Sequence, residues 1–187
     1  MRKFDPQSQA VIMCGISGSG KTHYARQLED TGYIRLSSDA IIWDKVGPGL
    51  FNMTNEQQKE LFAESKEEIL NRLTSLLKSG EKVVVDATNC RRIMRDTIRK
   101  ICAEANVNPQ FVYCHADKEE LWHRLSQRKG MGPDDLLVSR EQLSEYWQGF
   151  ETPQEDEKDF IFLISKLRDG KSSSPDMKTT IPSRFEI

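Results

Sequence analysis

Eight residues near the amino terminus, Gly15-Ile16-Ser17-Gly18-Ser19-Gly20-Lys21-Thr22, spell G-x-x-x-x-G-K-T. Each position in that pattern has a chemical reason. Glycines let backbone N–H groups close around phosphate oxygens, Lys21 brings a point charge to the β- and γ-phosphates, and Thr22 offers a hydroxyl to Mg²⁺. An apolar run, Val11-Ile12-Met13-Cys14, precedes the motif, and no breaker interrupts the residues after it until Gly32. A strand, a loop and then a helix aimed at an anion is the context this chemistry needs. Gly15, Ser17, Gly18, Ser19, Gly20, Lys21 and Thr22 are therefore candidate ligands of a nucleoside triphosphate, with Lys21 also catalytic and Thr22 a metal ligand.

Three further groups could take part in phosphoryl transfer. Asp39, in Ser38-Asp39, could accept a proton from an attacking hydroxyl; its alternative is to cap the segment Ala40–Asp44. Asp86 follows the apolar Val83-Val84-Val85 and could hold Mg²⁺ through a water, or cap the next helix, as could Thr88 and Asn89. Arg124 and Arg128, four apart, share one helix face. Arg128 sits in a polar, glycine-flanked stretch and could neutralise charge on the transferring phosphoryl group, or simply face solvent at a helix end. Arg91–Lys100 carries five cations against one acid, Arg95 among them. It reads equally as a grip for a polyanionic acceptor and as an ordinary exposed face. His23, His115 and His123 form no metal-ligand or triad pattern.

The elements that must position these groups alternate along the chain. Strands are expected at Ala10–Gly15, Tyr33–Ser37, Lys82–Ala87, Gln110–His115 and Phe160–Ile164. Helices are expected at Lys21–Glu29, Asn55–Ser79, Arg91–Ala105, Asp117–Lys129 and Ser139–Phe150. Thr54 with Gln57 forms a capping box for the longest helix, and Asp117 with Glu120 marks another start. The alternation predicts an α/β fold, a parallel sheet covered by helices on both faces, with a helical lid. Ligands of such sheets sit beyond the carboxyl ends of the strands, where all the candidate groups fall.

The whole-chain numbers set limits. The 187 residues suit one domain, 1–167, followed by a serine- and proline-bearing tail, 168–187. A net charge of −2 supplies no overall basic field for nucleic acid. Four scattered cysteines without a C-x-x-C pair argue against a disulfide framework or zinc site. No stretch reads as a signal peptide or membrane span, so a cytoplasmic location without membrane contact is expected.

The ordered set Gly15–Thr22, Ser38-Asp39, Val83–Asn89 and Arg124-x-x-x-Arg128 resembles the kinase domain of T4-phage-type polynucleotide 5′-hydroxyl kinases, small P-loop kinases with an AAA-like ATP-binding domain. The likeness spans roughly residues 9 to 165, Phe150 to Pro153, Glu157 and Phe160 included. It implies ATP and Mg²⁺, with Asp39 as general base, Arg128 as lid arginine and Arg124 as a nucleotide contact. Ser38, Thr88, Asn89 and Arg95 would be contacts to an RNA or DNA 5′-OH end. Two departures stand out. Ile42, followed by Trp43, occupies a position where such kinases carry an acceptor-binding arginine, and Asp86 lies one residue earlier than in the phage enzyme. Trp43 could stack on a base or belong to the core. The expected function is an ATP-dependent polynucleotide 5′-hydroxyl kinase that moves the γ-phosphate of ATP to a 5′-OH end of RNA or DNA; the alternatives are a kinase of a small-molecule hydroxyl (sugar, nucleoside, antibiotic or nucleotide-sugar) and a nucleotide-dependent binding module. A GTPase is disfavoured because Asn-Lys-x-Asp is missing, and a ring-forming motor by Ala87 where a second acid would follow Asp86.

Overall fold

A computed structural model describes residues 4–164. The proposed tail, 168–187, lies outside these residues. Five strands form one parallel sheet: β1 (Ala10–Cys14), β2 (Ile34–Ser37), β3 (Val83–Asp86), β4 (Gln110–His115) and β5 (Phe160–Ile164), in the order β2-β3-β1-β4-β5. The central strand β1 is completely buried. Strands hidden on both faces read as unbroken apolar runs, which is why Val11–Cys14 and Val83–Val85 carry no polar alternation.

Side chains alternate between two cores. On one face Ala10, Ile12, Val83, Val85 and Phe111 pack with Ile69, Leu73 and Leu77 of α3 (Asn55–Lys78) and Ile98 and Cys102 of α4 (Arg92–Glu104). On the other, Val11, Met13, Val84 and Val112 meet Tyr24, Ala25 and Leu28 of α1 (Lys21–Glu29). The capping box at Thr54 forms as expected: its hydroxyl accepts from the Gln57 amide and the Gln57 side chain accepts from the Thr54 amide.

Two elements differ from expectation near the site. α2 (Ser38–Val46) runs longer than Ala40–Asp44 and is capped by Ser37, whose hydroxyl accepts from the Ala40 amide. α5 (Lys118–Leu125) stops short of Lys129, because Gln127-Arg128-Lys129-Gly130 lack apolar anchors and Gly130 adopts φ 68°. A lid follows, an irregular stretch from Ser126 to Ser139 holding one 3-10 turn, Pro133–Asp135, before α6 (Arg140–Gln148). Glu120 does not cap α5; it is buried against Arg124, Oε1 accepting from Nε at 2.6 Å. No helix among the described residues is long and apolar enough to cross a membrane.

Candidate active site

The loop between β1 and α1 is shaped by close approach. Gly15 has φ 143°, and a Cβ there would stand 2.3 Å from the Cys114 carbonyl oxygen. Its amide donates to the Thr88 carbonyl at 3.0 Å, tying the loop to the exit of β3. Gly20, at φ 100°, precedes α1 without any side-chain cap, so the first-turn N–H groups remain available to an anion. Lys21 is 7% exposed, its ammonium donating to the Ile16 carbonyl at 3.0 Å. The Ser19 hydroxyl is buried in the same loop without a hydrogen-bond partner among the described residues. Uncapped amides, an orphaned hydroxyl and a held lysine are the features of a cradle built around an anionic tail.

Beneath the loop Thr22 Oγ1 donates to Asp86 Oδ1 at 3.3 Å. A hydroxyl beside a carboxylate is a hard-oxygen pair suited to Mg²⁺. Asp86 is no helix cap: α4 begins at Arg91 without a side-chain cap, and the carboxylate of Glu151 accepts from the Arg92 amide instead. The other oxygen of Asp86 accepts from Arg35, Nε at 2.9 Å and Nη2 at 2.7 Å. Arg35 Nη2 also donates to Asp134 Oδ1 at 2.5 Å, and Asp134 pairs in turn with Arg26 of α1. Burial opposes the charge of Arg35, but Asp86 and Asp134 outweigh it and push its pKa up. The lid is thus pinned to the sheet through Asp134 and Arg35. Sequence reasoning missed this pair; its one signal is a lone cation inside the apolar strand Ile34-Arg35-Leu36.

Asp39 stands in the first turn of α2, and capping is done by Ser37. Among the described residues its carboxylate makes no hydrogen bond or ion pair. Burial, partly offset by Lys21 and Arg128, pushes its pKa up to about 6. It lines a cleft of about 400 Å³ with Lys21, Thr22, Asp86, Arg124 and Arg128. Four strand ends therefore meet, as expected.

The two lid-side arginines differ. Arg124 Nη1 donates to the Gly18 carbonyl at 3.0 Å and its Nε to Glu120, so it braces the phosphate loop. Arg128 Nη1 donates to the Leu136 carbonyl at 3.0 Å, and no carboxylate pairs with it among the described residues. Burial lowers its pKa against the pull of Asp39, Asp135 and Asp134.

The expected acceptor contacts need correction. Arg95 is fully buried, its guanidinium donating to Glu157 at 2.7 and 2.8 Å, so it cannot touch an acceptor. Asn89, 4% exposed at φ 45°, uses its amide to hold the Met13 carbonyl at 2.7 Å; its work is joining β1 to β3. The Ser38 hydroxyl lies 3.0 Å from that of Ser65. Of the four expected acceptor contacts, Thr88 alone lines both the cleft and a neighbouring pocket. Trp43 packs beside Phe51 on the α2 cluster, a core role.

The sequence profile of the AAA domain matches residues 11–153, from β1 through the lid and α6. The chain belongs to that family. Among solved structures, this AAA domain superposes on a candidate kinase from Chloroflexus aurantiacus with TM-score 0.70 and 18% identity, covering 91% of this chain and 92% of the other. A gluconokinase from Sinorhizobium meliloti gives TM-score 0.59 and 22% identity over 87% and 84% of the two chains. A component of the Pnkp1/Rnl/Hen1 RNA repair complex gives TM-score 0.60 and 20% identity over 80% of this chain and 45% of its own. The AAA domain thus has the α/β P-loop kinase fold. No curated protein matches the chain.

Proposed function

We propose that this AAA domain is an ATP-dependent kinase that moves the γ-phosphate of ATP onto the hydroxyl of a small molecule. One observation carries the reading: Asp39 is a carboxylate with no structural duty, standing where the charged cleft opens into a second pocket of about 600 Å³. A binding module that only senses nucleotide has no use for an ionisable base there.

The chemistry is laid out by the side chains. Amides of the phosphate loop and Lys21 hold the β- and γ-phosphate oxygens. Asp39 orients the acceptor hydroxyl and takes its proton as the oxygen–phosphorus bond forms; the bond to the β–γ bridging oxygen breaks and ADP leaves. Arg128 balances the charge spread over the transferring group. Thr22 and Oδ1 of Asp86 would hold Mg²⁺, which supplies charge neutralisation on the phosphates when bound.

A polynucleotide 5′-hydroxyl kinase is the second reading, supported by the fold likeness to the RNA repair component and by the ordered motifs. Against it, the cations of α4 are met by acids: Arg92 by Asp156, Arg95 by Glu157, Arg99 by Asp159.

The test is transfer of label from γ-labelled ATP with Mg²⁺ to alcohols, sugars, nucleosides and 5′-OH oligonucleotides. Asp39→Asn should lower transfer by about 10²–10⁴-fold while ATP still binds. Near-normal turnover in that variant would remove Asp39 from the reaction.

A further inference from the structure

The second pocket differs from the phosphate cleft in kind. It shares Ser17, Asp39, Ala87, Thr88 and Arg128 with the cleft, so a molecule seated in it meets the base and the lid arginine directly. Its volume falls in the range of pockets that enclose whole small molecules. Beyond the shared edge its body is apolar and aromatic: Phe51, Phe62, Leu136, Tyr146 and Phe150.

Polar residues also line it, and four of them, Ser38, Gln58, Ser139 and Gln142, are engaged within the protein. Gln58 Nε2 donates to the carbonyls of Leu50 at 3.1 Å and Met53 at 3.3 Å. Ser139 and Gln142 are locked in the reciprocal cap of α6. The Ser38 hydroxyl is engaged with Ser65. Charge is balanced as well: Arg91 and Arg128 face Asp39 and Glu145, two cations against two carboxylates. Against the wall of Phe51, Phe62, Leu136 and Phe150 a polyhydroxylated sugar would find no partners for its hydroxyls, and each one stranded there would cost affinity. A polynucleotide would find no positive field to neutralise its phosphates.

We infer that this pocket takes a compact, weakly charged alcohol with an apolar or aromatic body, its hydroxyl directed at Asp39 and its body packed against Phe62 and Tyr146. The inference rests on the kinase reading for the phosphorylation of that alcohol, while the binding preference stands on the pocket alone. Phe62 and Tyr146 are 37% and 38% exposed, so their substitution leaves the buried core untouched.

The probe is phenylpropanol, compared with gluconate and a 5′-OH oligonucleotide. Calorimetric titration is run on the full chain with Mg²⁺ and a non-hydrolysable ATP analogue, and transfer is run with γ-labelled ATP. Phenylpropanol should bind saturably and be phosphorylated with kcat/KM at least about tenfold above the other two. Phe62→Ala and Tyr146→Ala should each erase about tenfold of that preference. Saturable binding without transfer would uphold this ligand class and remove the phosphotransfer reading. Transfer to gluconate or the oligonucleotide in preference would overturn the inference and leave the kinase standing. Absence of saturable phenylpropanol binding would overturn it outright.

Discussion

Two arginine clusters flank the carboxyl edge of the sheet, and they have opposite fates. On α4, Arg92, Arg95 and Arg99 each meet a carboxylate from the 156–159 segment, and Arg95 with Glu157 is sealed from water. Burial opposes the charge of Glu157, yet its guanidinium partners hold its carboxyl down at about 2. Across the cleft, Arg128 is half-buried with a backbone carbonyl for company, and burial pulls its pKa down. Four-residue spacing alone suggests a shared helix face for Arg124 and Arg128 as it does for the cations of α4, but α5 ends at Leu125 and leaves Arg128 in the lid. What separates them is whether acids distant in sequence close over the charge. The first cluster holds the fold; Arg128 is left without a carboxylate partner among the described residues.

The sharpest way to break that contrast is to remove one arginine from each side. Arg128→Ala should cost about 10³-fold in kcat for transfer with little change in melting temperature, since an arginine on a transferring phosphoryl group is worth that much where measured. Arg95→Ala should do the reverse, lowering unfolding free energy by about 3 kcal/mol, because the buried Glu157 loses its two-bonded partner and keeps only Arg99, at 2.9 Å, against its charge. The double change Arg95→Met with Glu157→Leu should recover most of that stability, with transfer by the folded protein unchanged. Denaturant unfolding and single-turnover transfer measure both. A large loss of transfer in the refolded double variant would move Arg95 into the reaction.

A smaller and graded effect follows from Asp39. As a base it must be ionised, so transfer should fall about tenfold per pH unit below about 6 and level off above it. Stability moves the other way. The folded pKa lies above the unfolded value of 3.8, so the folded state favours the protonated acid. That stabilising term is complete below pH 4 and is lost as pH rises through about 6. Asp39→Asn should therefore stabilise the protein at pH 8, by on the order of 1–3 kcal/mol, with the gain vanishing near pH 4. A variant no more stable at pH 8 than the parent would contradict the half-buried, unpartnered geometry.

What could be read in the chain before its structure follows the same division. The phosphate-loop motif and the cap at Thr54 show in the sequence because their residue types stand at fixed short spacings, Lys21 reaching back to Ile16 and Thr54 meeting Gln57. The parallel sheet was legible because strands buried on both faces leave unbroken apolar runs. Arg95 misled because its partner Glu157 lies 62 residues on, and nothing in the basic helix foretells it. Arg35 was invisible for the same reason, its acids being 51 and 99 residues away. Asn89 looked like an active-edge amide; its positive φ and its hold on Met13 appear only once β1 and β3 are side by side.

The smallest effect belongs to Arg92, and it is the most discriminating about the acceptor. Arg92 lies at the surface of α4, bonded to Asp156 at 2.6 and 3.0 Å. Exposed pairs of this kind add little to stability, because solvent screens them and two long side chains must be ordered. If α4 gripped a polyanion, Arg92→Ala would weaken an oligonucleotide and flatten the salt dependence of its binding by about one phosphate contact. With the helix already neutralised, Arg92→Ala should leave the melting temperature unmoved and transfer within about twofold, and acceptor binding should vary little with salt. Binding that steepens with dilution of salt in the parent, and relaxes in Arg92→Ala, would return the nucleic-acid end to the acceptor site.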